Sequence, residues 1–352
     1  MPTITLNGKE VEARNGQTIL DIARSNGIYV PSLCFHPKVG QAGLCRVCAV
    51  EVDGAGGLVM SCSTLIRDGM VVRTETEQVI QTRRTVVDLL LMSGEHDCLS
   101  CDVYGMCELQ EVAQRLGIEK PSEPPLAASI PLDSSHPLIL RNHNHCIHCH
   151  RCIRGCNKTV VNEVLDVAFR GRHSAIVADL DLPLGESSCV GCGECVQLCP
   201  SGALVEKKAK REGEPWTLEK MRTTCPYCGV GCQVYLHIDR KTNRVIKVTG
   251  VEGVPPNDGM LCVKGRFAYD FPSSSRRLTR PLIQRNGRHE PASWEEALDY
   301  TAARLRLIRN TYGPDSISAV SSSRDNNENS YAAQKFMRAV IGTNNIDNCA
   351  RT

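Results

Sequence analysis

The chain has 352 residues, of which 41% are apolar, only 4% aromatic, and 20 are cysteine. That length leaves room for two or three domains, but few large side chains are available to build their cores, so something else must organise them. The 41 basic and 39 acidic residues leave a net charge of +2, which excludes the strong basic field of a nucleic-acid or anionic-lipid binder.

The opening residues, MPTITLNGKEVE, read as a polar strand start without the apolar stretch of a secretory leader. Disulfides of a secreted scaffold are therefore not expected. The cysteines come in tight groups with spacings of two, three and five residues, which points to metal thiolates. No apolar run approaches the roughly 18 residues of a membrane span; Val86 to Met92 is the longest candidate and follows Arg83 and Arg84. We expect a soluble, cytoplasmic protein whose partners are recognised by shape.

In residues 1–33 the apolar positions Ile4, Leu6, Val11 and Ala13 alternate around the turn pair Asn7-Gly8, predicting a β-hairpin. Thr18 and Asp21 have the spacing of a capping box, which opens a helix that stops at Gly27. Cys34, Cys45, Cys48 and Cys62 follow as C-x10-C-x2-C-x13-C. The inner pair resembles plant-type [2Fe-2S] binding, with a longer first loop. Gly40 and Gly43 suit a loop whose backbone N–H groups approach sulfide closely. Residues 1–78 are expected to form a β-grasp [2Fe-2S] domain.

A second helix is predicted over Thr76 to Met92. After it, GEHDCLSCDVYGMCELQ supplies Cys98, Cys101 and Cys107, one ligand short of a cube. The stretch resembles the His-plus-three-Cys segment in the large iron–sulfur subunit of NADH:quinone oxidoreductases and in related hydrogenases and formate dehydrogenases. In that segment the histidine stands four positions before the first cysteine; here that position is Gly94, and the nearest histidine is His96. Either His96 reaches the iron by a different loop path or another group completes the site. Residues 79–120 are assigned to this [4Fe-4S] segment, with His96 as its fourth ligand.

The run PSEPPLAASIPLDSSHP, residues 121–137, reads as a linker. Beyond it, CIHCHRCIRGC and CVGCGECVQLCP repeat one spacing 43 residues apart. In C-x2-C-x2-C-x3-C three thiolates wrap one iron–sulfur cube while the fourth ligates the other. The crossing assignment gives Cys146, Cys149, Cys152 and Cys199 to one [4Fe-4S] cluster, and Cys189, Cys192, Cys195 and Cys156 to the second. Structural zinc needs two short pairs, which this triple-plus-one pattern does not provide. The first copy carries Asn157 where proline follows in the second, leaving all eight ligands in place. His143, His145, His148 and His150 are expected to tune local hydrogen bonding or face solvent, because the thiolates already fill the site. Residues 137–206 form this 2[4Fe-4S] ferredoxin-like domain.

The charged run EKKAKREGEP, residues 206–215, reads as a solvated connector. Cys225, Cys228, Cys232 and Cys262 then appear in CPYCGVGC and GMLCVKG. The C-x2-C-x3-C-x29-C set, with Pro226, Gly231, Lys264 and Gly265, resembles the N-terminal cluster domain of molybdopterin-guanine-dinucleotide oxidoreductases. The resemblance implies a [4Fe-4S] cube in residues 218–275 and makes Lys264 a cation between cube and pterin; the plain alternative is a solvated lysine.

Residues 276–352 would begin the α/β pterin domain. Its stretch SSSRDNNENSYAAQKFMRAVIGTNNIDNCART resembles the catalytic subunit of formate dehydrogenases of the cytosolic, NAD-linked type, which places Arg324, Asn327 and Glu328 near the pterin. In that family the residue after C-A-R-x is the cysteine or selenocysteine that binds molybdenum or tungsten. The expectation is that this chain stops one residue before a selenocysteine, whose codon is ordinarily read as stop; a fragment is the alternative.

The groups use 19 cysteines and leave only Cys349, so none remains for a hydrogen-activating cluster. The fold class expected is an α+β multidomain iron–sulfur protein: β-grasp domain, His/Cys segment, bacterial ferredoxin domain and the start of an α/β molybdopterin domain. One [2Fe-2S] and four [4Fe-4S] clusters would form a wire. By resemblance the intact enzyme would carry bis-molybdopterin guanine dinucleotide with molybdenum or tungsten, interconvert formate and CO2, and pass electrons to flavin and iron–sulfur subunits of the NADH-dehydrogenase type. The rival reading is a non-catalytic relay subunit of a quinone oxidoreductase-like or hydrogenase complex.

Overall fold

The computed structural model describes residues 1–125, 129–209 and 215–349. Residues 126–128 of the expected linker, 210–214 of the expected connector, and Ala350 to Thr352 lie outside the described residues. The chain divides into two compact units, Met1–Glu219 with Ile238–Thr242, and Lys220–His237 with Asn243–Thr352.

In the first unit β1 (Thr3–Leu6) and β2 (Lys9–Glu12) pair antiparallel, with Thr3 opposite Glu12 and Leu6 opposite Lys9. The turn residues Asn7 and Gly8 have φ of 49° and 81°, the two positive values a type I′ hairpin requires. Helix α1 (Ile19–Ser25) starts with the expected capping box: Thr18 N–H donates to the Asp21 carboxylate at 2.9 Å, and Asp21 N–H donates to the Thr18 hydroxyl at 3.2 Å. Three further strands, β3 (Ala49–Val52), β4 (Val59–Met60) and β5 (Val71–Arg73), complete a sheet of order β2-β1-β5-β3-β4, with β5 parallel to β1. Ile4 and Leu6 from the sheet pack with Ile19, Leu20 and Ile22 from α1 and with Cys48 and Cys62. Two of the predicted ligands therefore sit at the margin of this core.

Helix α2 (Glu77–Met92) is capped by Thr76 and buries Val79, Arg83, Val87 and Leu91, a spacing of four that lines one face. A helix not anticipated from the sequence, α3 (Glu108–Arg115), begins on Cys107 as its N-cap, and its Leu109, Val112 and Ala113 pack with Val87 and Leu91. Next, β6 (Ile139–Arg141) and β9 (Leu204–Glu206) pair antiparallel and tie the two ends of the repeat region together. Between them lie α4 (Arg151–Arg154), which runs on into a π-helical turn over Gly155–Val160, the hairpin of β7 (Leu165–Ala168) and β8 (Ala175–Ala178), and α5 (Glu194–Leu198). The short helices α4 and α5 occupy equivalent places in the two repeat copies, the internal symmetry that the spacing implied.

The second unit is built on the three-stranded sheet of β10 (Leu218–Thr224), β11 (Gln233–Asp239) and β12 (Arg244–Gly250), followed by α6 (Val263–Phe267). Its core joins Val234, Val248 and Leu261 to Cys225. A hairpin of β13 (Leu282–Arg285) and β14 (Arg288–Pro291) precedes α7 (Trp294–Tyr312), which Ser293 caps. Strands β15 (Ala319–Ser321) and β16 (Ile346–Asn348) run parallel, with α8 (Asn327–Lys335) in the crossover between them. That unit is the mark of an α/β domain. Among the described residues no helix is long and apolar enough to cross a membrane.

Candidate metal centres

The thiols of Cys34, Cys45, Cys48 and Cys62 are all buried, at 1–2% exposure, Cys48 and Cys62 against the sheet and α1 and Cys34 and Cys45 against α2 and α3. Cys34 N–H points at the Cys45 sulfur over 3.3 Å. Hydrogen bonding from Cys45 and Cys62 lowers the Cys34 thiol far below its usual range, and Cys62 lowers Cys48 to about 6. Cys45 and Cys62 move up as the proton-holding partners. Four sulfurs thus face one another in a dry pocket and share protons, an arrangement in which a cation replacing those protons would be favoured.

The second group surrounds a partly open hollow lined by Cys98, Cys101, Cys107, His96 and His145. Burial raises the Cys107 thiol to about 12 and pushes His96 down to about 4, helped by the neighbouring His145. The imidazole of His96 is therefore neutral at physiological pH. One of its nitrogens bonds the Leu90 backbone, and Nε2 is buried without a hydrogen-bond partner. A ring held at one nitrogen by a main-chain group, with the other free in a thiol-lined hollow, has the form of a metal-ligating histidine. At position 94 no side chain fits, because a β-carbon there would lie 2.0 Å from the Asn144 carbonyl oxygen. His145, which the sequence reading left to hydrogen bonding or solvent, lies 3.8 Å from the Cys101 sulfur through Nδ1 and stacks on His96 at 5.9 Å.

Another partly open hollow is lined by Cys146, Cys149, Cys152 and Cys199 together with apolar Ile147, Leu165 and Ile176. Three of those thiols come from the first repeat copy and the fourth from the end of the second. Burial pushes Cys146 and Cys149 up to about 12, and Cys152 well above its usual range, with Cys149, Cys146 and Cys199 adding to the shift. Cys195 is likewise raised, first by burial and then by Cys192, Cys189 and Cys156. Cys199 also acts on Cys195, and Cys195 on Cys152, so the two sets of thiols adjoin. His143 and His150 line this same hollow, while His148 keeps Nδ1 buried without a partner.

In the second unit Cys225, Cys228, Cys232 and Cys262 act on one another electrostatically, and the Cys225 N–H donates to the Cys232 carbonyl at 2.8 Å. Cys228 and Cys262 are exposed. Lys264 sits two residues beyond Cys262 in α6, also exposed. Arg324, Asn327 and Glu328 lie in and just after the loop that leads into α8, with their side chains open to solvent. A β-carbon at Gly229 would lie 3.4 Å from the Ser323 carbonyl, so the cysteine loop and the Arg324 loop are neighbours. Among the described residues no three His, Cys, Asp or Glu side chains converge closely enough to grip a single ion.

Two arginines absent from the sequence reading belong to these centres. Arg151 and Arg154 stand between the ligand cysteines of the first copy, at 2% and 8% exposure. A basic residue set twice within a thiol loop, in CHRCIRGC, was the available signal.

Family models match the chain in order: a 2Fe-2S iron–sulfur cluster binding domain at residues 1–77, an NADH-ubiquinone oxidoreductase-G iron–sulfur binding region at 83–122, a 4Fe-4S dicluster domain at 144–204, a molybdopterin oxidoreductase Fe4S4 domain at 218–274, and molybdopterin oxidoreductase at 277–352. Among curated proteins the chain is similar to "Probable oxidoreductase YjgC" of Bacillus subtilis, 34% identical over 99% of this chain and 39% of that one. It is 35% identical to the NADPH-Fe(3+) oxidoreductase subunit alpha of Geobacter sulfurreducens over 100% of this chain and 40% of that one. "Putative formate dehydrogenase SAV2309" of Staphylococcus aureus is 33% identical over 99% and 39%. The chain therefore spans about 40% of the length of the curated relatives it matches. Among solved structures it resembles a chain of an NAD+-reducing [NiFe]-hydrogenase, with a TM-score of 0.57 and 32% identity over 61% of this chain and 91% of that one.

Proposed function

Because the chain belongs to the molybdopterin oxidoreductases that carry iron–sulfur domains, with a region of the NADH-ubiquinone oxidoreductase-G type, we propose that it is the electron-transferring part of a formate dehydrogenase. Bound clusters supply one-electron storage at potentials that ligand type, hydrogen bonding and burial adjust. The observation that carries the reading is the common hollow of Cys146, Cys149, Cys152 and Cys199, a crossed set that two ferredoxin-type cubes use and a lone zinc does not.

On this reading Cys34, Cys45, Cys48 and Cys62 hold a [2Fe-2S] cluster. His96 through Nε2, with Cys98, Cys101 and Cys107, holds a cube, as do the crossed set, its counterpart Cys156, Cys189, Cys192 and Cys195, and the set Cys225, Cys228, Cys232 and Cys262. Lys264, Arg324, Asn327 and Glu328 face a bis-molybdopterin guanine dinucleotide carrying molybdenum or tungsten. Formate oxidation releases CO2, one proton and two electrons. This chain's residues keep the electron carriers dry and in fixed order, and a flavin subunit of the NADH-dehydrogenase type takes the electrons on to a nicotinamide.

A second reading, a relay subunit without formate chemistry, is favoured by the likeness to a chain of an NAD+-reducing hydrogenase. Dye reduction by formate, measured on the complex purified anaerobically from its native source, separates the two. Activity dependent on formate is expected; a complex that carries metal and pterin, oxidises NAD(P)H with dyes and ignores formate would overturn the first reading in favour of the second. Iron analysis is expected to give about 18 irons per chain.

A further inference from the structure

Three cations are buried where the Cys34 loop meets the helices of the repeat region. Lys38 pairs with Glu194, their side chains 4% and 1% exposed. Arg151 makes two bonds to the Glu108 carboxylate at 2.6 and 2.9 Å and one to the Ser32 carbonyl at 3.0 Å. Arg154 differs from both. Its Nη1 donates to the carbonyls of Val39 at 2.9 Å and Gly40 at 2.6 Å. Its Nη2 donates to the carbonyls of Cys34 and, at 3.4 Å, Cys149, and its Nε to that of His150 at 3.3 Å. Every one of these acceptors is a neutral main-chain oxygen, and among the described residues no carboxylate pairs with it.

A buried guanidinium without an anion is expensive, because carbonyl dipoles return only part of the lost hydration. Two of its acceptors belong to Cys34 and Cys149, which on the function proposed above are ligands of the [2Fe-2S] cluster and of the first cube. A cage held by four thiolates is net negative and gains one more negative charge when it accepts an electron. We propose that Arg154 is a shared counter-charge for these two cages: its cation offsets both anions, favours the reduced form of each, and holds their ligand loops on a single nitrogen. Arg154 is thus a positioning residue for electron transfer between them. Since one nitrogen bonds both carbonyls, the Cys34 and Cys149 oxygens lie within about 6 Å of each other, so the two cages are neighbours along the route.

The inference rests on the ligand assignment, and the experiment keeps the two apart. Arg154→Gln and Arg154→Lys are made in the natural complex, iron and acid-labile sulfide are counted, and EPR-monitored redox titration reads each cluster's midpoint. The counts and spectra test whether the cages exist; the midpoints test Arg154. In Arg154→Gln the [2Fe-2S] and first-cube midpoints are expected to move to more negative values, while the cluster of the second unit stays put. Arg154→Lys, which keeps the charge and loses most of the bonds, is expected to remain near wild type. Full iron with unmoved midpoints in Arg154→Gln, or an equal shift in both variants, would overturn the proposal. If Arg154→Gln sheds iron, Arg154→Lys decides alone: unmoved midpoints support the proposal, a negative shift sinks it, and iron loss there too leaves Arg154 a folding role only.

Discussion

Gly94 offers the sharpest test of how the three-cysteine site is built, because the resembling segment of other oxidoreductases has its ligand histidine there. A β-carbon at 94 would lie 2.0 Å from the Asn144 carbonyl oxygen and 2.8 Å from its carbon. Nonbonded carbon and oxygen need about 1 Å more than the shorter of these, and both obstacles are main chain. The segment that would have to move carries His145 and Cys146, so the strain would reach two centres at once. Overpacking that shifts side chains costs about 1–3 kcal/mol; with the backbone itself displaced, about 3 kcal/mol is expected for Gly94→Ala and at least as much for Gly94→His. In a unit of this size each kcal/mol moves the melting temperature by about 2–4 °C, giving a fall of about 6–12 °C. Anaerobic thermal unfolding followed by circular dichroism, with iron counted per chain, measures both consequences. A Gly94→His protein with wild-type melting and full iron would refute the argument, since the histidine would then have found room where the structure has none.

Glu108→Gln leaves Arg151, whose side chain is 2% exposed, without its anion. Breaking a buried pair costs about 3–5 kcal/mol, but Glu108 is itself 46% exposed and water already screens it, so about 2 kcal/mol is expected, read by denaturant unfolding of the holoprotein; no loss of stability would count against the pairing. His237 in β11 is held neutral by burial, its pKa pushed from 6.5 down to about 3, with Nε2 2.9 Å from the Thr249 hydroxyl. Unfolded chains bind a proton that the folded one refuses between those values, so this contribution is complete above pH 6.5 and declines as pH falls toward 3. Between pH 7.5 and 5.5 the loss is about 1.4 kcal/mol, and His237→Gln should flatten that part of the stability profile; an identical slope in the variant would remove His237 as its source.

What was legible in the sequence is what is local. The Asn7-Gly8 turn and the Thr18–Asp21 box each specify their own backbone and appear where they were read, and the helix expected over Thr76 to Met92 forms over Glu77–Met92 with Thr76 as its cap. Thiol spacing is local too, since it counts how many residues a loop needs to reach round a cage. Helix α3 escaped because its N-cap is Cys107, a residue with little capping preference, and its eight residues make only about two turns. The place of His145 also escaped, for a different reason. Its Nδ1 faces both the Cys101 sulfur and the Gly202 carbonyl, residues 44 and 57 positions away that the β6–β9 pairing helps to gather, a contact no window along the chain contains.

The scarcity of aromatic residues then acquires a physical explanation. Cys34, Cys45 and Cys149 belong to the same buried cluster as Val87, Leu91, Leu109 and Val112, so thiols occupy places that large side chains fill in other cores. Left as thiols, Cys146 and Cys149 would stay protonated, with pKa values near 12, and would contribute no anion to the cations around them. Arg154 bonds only carbonyls, and so does Arg83, 4% exposed and bonded to the Ala49 carbonyl at 2.7 and 3.2 Å; the negative charge acting on them comes first from Cys34 and Cys48, with Glu75 adding to it at Arg83. On the function proposed above, thiolate cages would deprotonate the remaining cysteines and add negative charge beside the buried guanidinium groups. On that reading folding of the first unit and loading of its clusters are one coupled equilibrium, in which removing iron returns protons to Cys146 and Cys149 and weakens the charge balance around Arg154.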